Sequence, residues 1–289
     1  MDLAQFLVQA LNGVQYGLLL FLVASGLTLI FGIMGIINLA HGAFYMIGAY
    51  LAYWLVGLTD NLFLAILLGI PIAVAVGLVI ERLLIARLYD RDHLDQVLLT
   101  YGLILILNET QKILWGSDFH GVPVPEMLAG SVPLTENQAY PVYRLFISAV
   151  CLGVAAGMWL VIARTRLGMM IRAGASNREM TSALGINIGR VFAIVFALGV
   201  ALAAFSGMIG APVSSVYPGM GDRVLIISFV VVVIGGIGSV KGAFIGALLI
   251  GLADTFGRVL VPDFASMVIY ALMALVLLWR PQGLFGRAP

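Results

Sequence analysis

The chain has 289 residues, of which 62% are hydrophobic and only 10% charged, with a formal net charge of +1. Soluble domains carry about 25% charged residues, so an ordinary soluble globular protein is excluded, and the charge balance gives no reason to expect a nucleic-acid partner. Together with a mean hydropathy of +1.10, the repeated apolar runs of spanning length predict an all-α polytopic membrane protein. We expect one transmembrane domain over residues 1–289, with about eight to nine crossings, Gly-broken or re-entrant segments and possible internal repeats.

In chain order, the start MDLAQFLVQAL lacks a positive n-region, so no cleavable signal peptide is expected. A first span over Val8–Phe31 leads into Gly32–Tyr50, where glycines surround the polar pair Asn38 and His41. Phe44–Leu58 and Leu62–Ile80 read as the next spans, joined by a turn at Thr59-Asp60-Asn61. Glu81–Asp95, with Arg82, Arg87 and Arg91, marks an inner basic segment by the positive-inside rule. A fourth span, Gln96–Trp115, carries Asn108 and Glu109, which either meet a solute or mark its outer end. Residues 116–141, with prolines from Pro123 to Pro141 and Glu126 and Glu136, read as a periplasmic loop. Spans at Val142–Ala163 and Val191–Ile209 flank a polar island, residues 164–190. Gly210–Asp222 is an outer Pro/Gly-rich loop. Val224–Leu252 is too long for one span and is broken at Gly235, Gly236, Gly238 and Gly242, giving two spans or half-spans that meet near Lys241. The last span, Phe264–Trp279, precedes Arg280 and Arg287, which put the C-terminus inside and, by counting back, the N-terminus outside. Cys151, the only cysteine, excludes disulfide frameworks and thiolate metal clusters and fits a small filler inside a span.

The polar island RTRLGMMIRAGASNREMTSALGINIGR holds Arg164, Arg166, Arg172, Arg178 and Arg190, so it is expected in the cytoplasm. Ser176 followed by Glu179 reads as a capping box, and Gly185 as the left-handed stop of a short helix Asn177–Leu184. Met180, Ala183 and Leu184 share one face of that helix. A capped helix with an apolar tip and basic flanks suits docking into a groove on a soluble partner; its apolar face is too narrow to hold lipid strongly.

His41-Gly42-Ala43-Phe44 recurs as Lys241-Gly242-Ala243-Phe244, each after a Gly-rich break. Paired broken segments point to a transport pathway. Candidate pathway or gate residues are therefore Asn38, His41, Gly42, Phe44, Tyr45, Gly238, Lys241 and Gly242. The plainer reading has Asn38 capping a helix, His41 at the inner interface and the aromatics in the interface belt. Asp254 and Arg258, four apart, read as an intrahelical pair. There is no nucleotide-binding loop, HExxH or GxSxG, and the three histidines, 41, 93 and 120, are scattered, so no catalytic residue, cofactor or metal is expected.

Gly26–Tyr50 (with Asn-Leu-Ala-His-Gly), the loop Arg172–Asn187, the run GGIGSVKGAFIGALLIG and the terminal RPQGLFG resemble the permease family of high-affinity branched-chain amino-acid ABC importers, most of all its shorter paralogous permease. The resemblance implies an inner-membrane subunit without catalysis of its own. It also implies a second permease, two cytoplasmic ATPases docking on the Asn177–Leu184 region (Arg172, Ser176, Asn177, Glu179, Met180, Ala183, Leu184, Gly185) and a periplasmic solute-binding protein. The family takes up branched-chain amino acids and, in some relatives, urea, amides or aromatic acids. The competing reading is a self-sufficient channel or proton-coupled carrier for a small solute, with Glu109, His41 or Asp254 relaying protons.

Overall fold

The computed structural model describes residues 3–89, 91–135 and 138–286; Glu136 and Arg287, used above to place loop and terminus, lie outside them. The described chain is a helical bundle. It runs through α1 (Leu3–Met34), α2 (His41–Thr59), α3 (Leu62–Leu83) and α4 (His93–Trp115) to a hairpin, β1 (Ser131–Thr135) and β2 (Gln138–Pro141). It continues with α5 (Val142–Arg164), α6 (Arg166–Ser176), α7 (Arg178–Ala183), α8 (Ile188–Gly210), α9 (Met220–Gly235), α10 (Val240–Leu260) and α11 (Ala265–Trp279). Eight helical segments are long and apolar enough to cross a membrane, by length and composition. The ninth apolar helix, α9, has 16 residues, or about 24 Å at 1.5 Å per residue, short of a ~30 Å hydrocarbon layer.

Burial divides the helices into two classes. In α1, 89% of the most apolar window is buried, against 11% in α5 and α11. α1 runs through the middle and packs on α10, α8, α9 and α5. The outer helices instead turn large apolar side chains such as Leu67, Ile106, Trp159 and Leu278 outward, a face that suits hydrocarbon. Between the inner helices there is little hydrophobic drive in lipid, so close backbone approach at small residues has to hold them. A Cβ at Gly17 would lie 2.7 Å from the Ala247 carbonyl oxygen, and one at Gly251 would lie 2.4 Å from that of Gly13. Cys151, on α5, is wholly buried, as a small filler would be.

The first expected break lies at residues 35–40, within Gly32–Gly42, because α1 continues to Met34 and α2 starts at His41. Gly35, at φ +63, turns the chain, a conformation that costs a residue with a Cβ. The segment then folds back among the helices, where Ile36, Asn38 and Ala40 are fully buried. Its backbone finds local partners. The Thr100 hydroxyl donates to the Ile37 carbonyl at 3.4 Å, and Asn38 Oδ1 accepts from the Ala40 amide at 3.1 Å. The second break is a turn over residues 236–239, closed by Ser239, whose hydroxyl accepts from the Gly242 amide at 3.1 Å and caps α10. The tail after α11 lies against this turn, its Leu284 and Phe285 amides donating to the Ile234 and Gly235 carbonyls at 2.8 and 3.0 Å. Those carbonyls end α9 and have no partner within it.

α5 has the β-hairpin at its first end and α6–α7 at its last. The expected long loop, residues 116–141, is thus more structured than its prolines suggested. A further bridge ties His120 to Val216, and the His120 ring stacks on Tyr53 at 4.2 Å. At the same end the Tyr140 hydroxyl and Arg144 both donate to Asn12 Oδ1, at 3.2 and 2.6 Å. Burial pushes the Tyr140 phenol above its usual pKa, with Arg144 opposing the shift.

Candidate functional site

The polar island folds as two helices. Thr165 starts α6 by accepting from the Gly168 amide at 3.2 Å. Ser176 is the last residue of α6 rather than a helix start, so the expected capping box is not formed. Asn177 is the cap, its Oδ1 accepting from the Met180 amide at 2.9 Å. Asn177, in extended backbone, serves both helices: its amide donates to the Ala173 carbonyl at 2.9 Å to end α6, and its side chain begins α7. At the other end Gly185 takes φ +84, its amide bonds Ser182 O and the Ile186 amide bonds Thr181 O, at 2.9 and 3.3 Å, the double bond of a Schellman stop. Met180 is 62% and Leu184 76% exposed, with Ala183 and Glu179 exposed beside them. Arg172 is exposed on α6 and donates to the Ile162 carbonyl.

Arg178 anchors this helix, a role the sequence reading missed. Its guanidinium donates to the Ile33 carbonyl at 3.2 Å and stands 5.2 Å from the centroid of the Phe192 ring. A Cβ at Gly35 would meet the same guanidinium at 2.8 Å. The first turn of α7 therefore grips the end of α1 where the break begins.

Of the eight gate candidates, the structure brings few together. Asn38 and His41 are both fully buried. His41 Nε2 lies 3.1 Å from the Val23 carbonyl oxygen of α1, so it belongs to the bundle interior and not to an interface. The N-cap position of α2 is Ala40, without a side-chain bond, so Asn38 makes a tight local turn instead of a cap. Gly42 and Gly242 are packing contacts on α9, and Phe44 packs edge-on to Phe196 at 5.9 Å. Gly238 and Lys241 are exposed. Tyr45 alone among the eight lines a cavity walled mainly by α1, α8, α9 and α10.

That cavity, about 390 Å³, lies between α1, α2, α8, α9 and α10 near the hairpin end, within the ~300–1,000 Å³ usual for small-molecule sites. Leu19, Leu20, Val23 and Val224 give it an apolar side. Gln15 and Tyr16 on α1, Arg223 on α9 and Asp254 and Arg258 on α10 give it polar groups. The expected pair is formed and bidentate: Arg258 Nε and Nη2 donate to Asp254 Oδ2 and Oδ1 at 2.8 and 2.9 Å. Asp254 is 4% exposed. Tyr16 is within electrostatic reach of Asp254, Arg223 and Arg258. Asn108 and Glu109 stand apart from the cavity: Asn108 donates to Asp222 at 3.1 Å, and Glu109 pairs with Lys112 at 2.6 Å.

Comparison with known proteins decides the family. The model of a family described as "Branched-chain amino acid transport system / permease component" matches residues 9–277. The chain belongs to that family. It is 34% identical to the high-affinity branched-chain amino acid transport system permease protein BraD of Pseudomonas aeruginosa, over 99% of this chain and 97% of that protein. It is 32% identical to the LivH permease protein of the corresponding Escherichia coli K12 system, over 98% and 96%. The LivM permease protein of the same strain matches at 25%, over 90% of this chain and 66% of its own length. No solved structure matches.

In this permease the sequence held one unread signal of the cavity. Gln9, Asn12 and Tyr16 recur at three- and four-residue spacing in the first span, a polar stripe on one helix face. Nothing in the local sequence ties that stripe to Arg223 or Asp254, which only the packing of α9 and α10 on α1 brings opposite it.

Proposed function

We propose that this permease is a membrane-spanning, non-catalytic subunit of an ATP-binding-cassette importer that carries branched-chain amino acids across the bacterial inner membrane. Its hairpin end faces the periplasm, where a solute-binding protein delivers cargo, and its α6–α7 end faces the cytoplasm. It pairs with a second, paralogous permease, and two cytoplasmic ATPases supply the energy. Family membership and the names of the full-length relatives support the solute and the transport role, and the relatives give no support to a self-sufficient channel.

One observation carries the coupling: Met180 and Leu184 project from α7 while its neighbour Arg178 is bonded to the end of α1. An ATPase gripping the exposed tip would pull directly on the break at 35–40 and hence on the buried Asn38–His41 segment. The double variant Met180→Asp, Leu184→Asp tests this. It is expected to insert normally but to lose ATPase subunits on purification and to lose transport by tenfold or more. Normal ATPase co-purification would remove α7 from the coupling path.

A further inference from the structure

We infer that the 390 Å³ cavity is a transient binding site for the zwitterionic head of the transported amino acid, with Arg223 and Gln15 holding the α-carboxylate and Asp254 the α-ammonium. This rests on the proposed solute class and adds the residues that would meet it.

Three features of the cavity point to such a ligand. The first is an unused donor. Gln15 is 3% exposed yet lines the cavity, and among the described residues its side-chain amide makes no hydrogen bond. Buried polar groups are rarely left without a partner, because each lost bond is costly, so an amide facing an internal space is placed for something that enters it. The second is a cation without a fixed partner. Arg223, exposed in the first turn of α9, borders the same space and makes no ion pair or hydrogen bond among the described residues. Its planar fork fits a carboxylate in two-point fashion. The third is a carboxylate with capacity to spare. Arg258 takes one bond at each oxygen of Asp254, and an ionised carboxylate accepts about four.

The ligand that satisfies all three carries a positive and a negative group a few bonds apart, with an apolar remainder to lie on Leu19, Leu20 and Val23. A free carboxylic acid would leave the remaining lone pairs of Asp254 unused, and an amine would leave Arg223 without a partner. Asp254 and Arg258 already neutralise each other, so the site attracts the zwitterion without trapping it, as a conducting path requires. Arg223, Asp254 and Arg258 also border a second groove, about 540 Å³, against α11. The same charges can therefore be exchanged from one space to the next as the helices move.

The experiment uses the complete importer, permeases, ATPases and binding protein, in proteoliposomes, and reads labelled leucine accumulated per ATP hydrolysed at saturating binding protein. Arg223→Gln and, separately, Gln15→Leu are each expected to lower that ratio about tenfold, while binding-protein stimulation of the ATPase persists; Arg223→Lys recovers part of the loss. A purely structural role would lower transport and ATPase activity together and leave the ratio unchanged. If the wild-type importer carries leucine and both variants keep the ratio within twofold, the cavity assignment is overturned and the transport reading stands. If the wild-type importer carries no branched-chain amino acid, the solute reading falls and the assignment falls with it.

Discussion

Two four-residue stretches, His41–Phe44 and Lys241–Phe244, share Gly-Ala-Phe and differ in what surrounds their first residue. Both glycines press on α9, at its two ends. A Cβ at Gly42 would lie 2.3 Å from the Gly221 carbonyl oxygen, and one at Gly242 would lie 1.9 Å from that of Gly235. Both alanines are buried. Both phenylalanines meet another phenyl ring edge-on, Phe44 with Phe196 at 87° and Phe244 with Phe21 at 85°. Yet His41 is fully buried and Lys241 is exposed. The cause lies just upstream. Residues 35–40 fold back into the bundle before α2 starts, whereas residues 236–239 turn at its edge. What recurs is a way of clamping the short helix α9; the first residue of each copy follows the depth of its break.

The strongest way to break this comparison is at the glycines. Gly42→Val and Gly242→Val are each expected to destabilise the protein by more than about 3 kcal/mol, since backbone and not a movable side chain occupies the space. Thermal unfolding in detergent measures it, and one copy tolerating valine would show that α9 is held at one end only. Next comes the first position. His41→Ala removes a buried ring and its bond to Val23 and should cost about 2–3 kcal/mol, whereas Lys241→Ala should stay within about 0.5 kcal/mol. In transport, His41→Ala should also impair more than His93→Ala, whose ring sits exposed at the start of α4. Equal effects of the two histidine changes would remove His41 from the transport path. The smallest effect sharpens the contrast in how the helices begin: Ser239→Ala should cost about 1 kcal/mol as the loss of a cap, a loss that Asn38→Ala cannot reproduce because Asn38 does not cap α2.

The membrane class could be read from hydropathy alone, because apolar runs of this length leave few alternatives, while the count of eight or nine turned on how the Gly-rich breaks were drawn. The helix stop at Gly185 was equally legible, since a glycine in left-handed backbone after a short apolar run has few other uses. The start was misread at Ser176. The motif SxxE describes a cap only if the chain before it is not already helical, and α6 runs through Ser176. Its own signal, Thr165 ahead of RLGMMIRAGAS, was hidden inside a segment that looked merely basic. The surroundings of the gate candidates were hidden for a different reason. Polarity in an apolar span marks a group that needs a partner, and for His41 the partner was the Val23 carbonyl of the same bundle. The residues that do face open space, Gln15, Arg223 and Asp254, lie on three helices far apart in sequence, and no local pattern connects them.

The seclusion of Cys151 turns the native chain into a convenient background for thiol labelling. Its sulfhydryl is packed within α5 at 0% exposure, so a single cysteine introduced at Met180 or near Phe119 would be the only one within reach of a bulky, membrane-impermeant maleimide. Reaction at one position in sealed cells and at the other only after lysis would assign the two faces of the bilayer without first stripping out a natural residue.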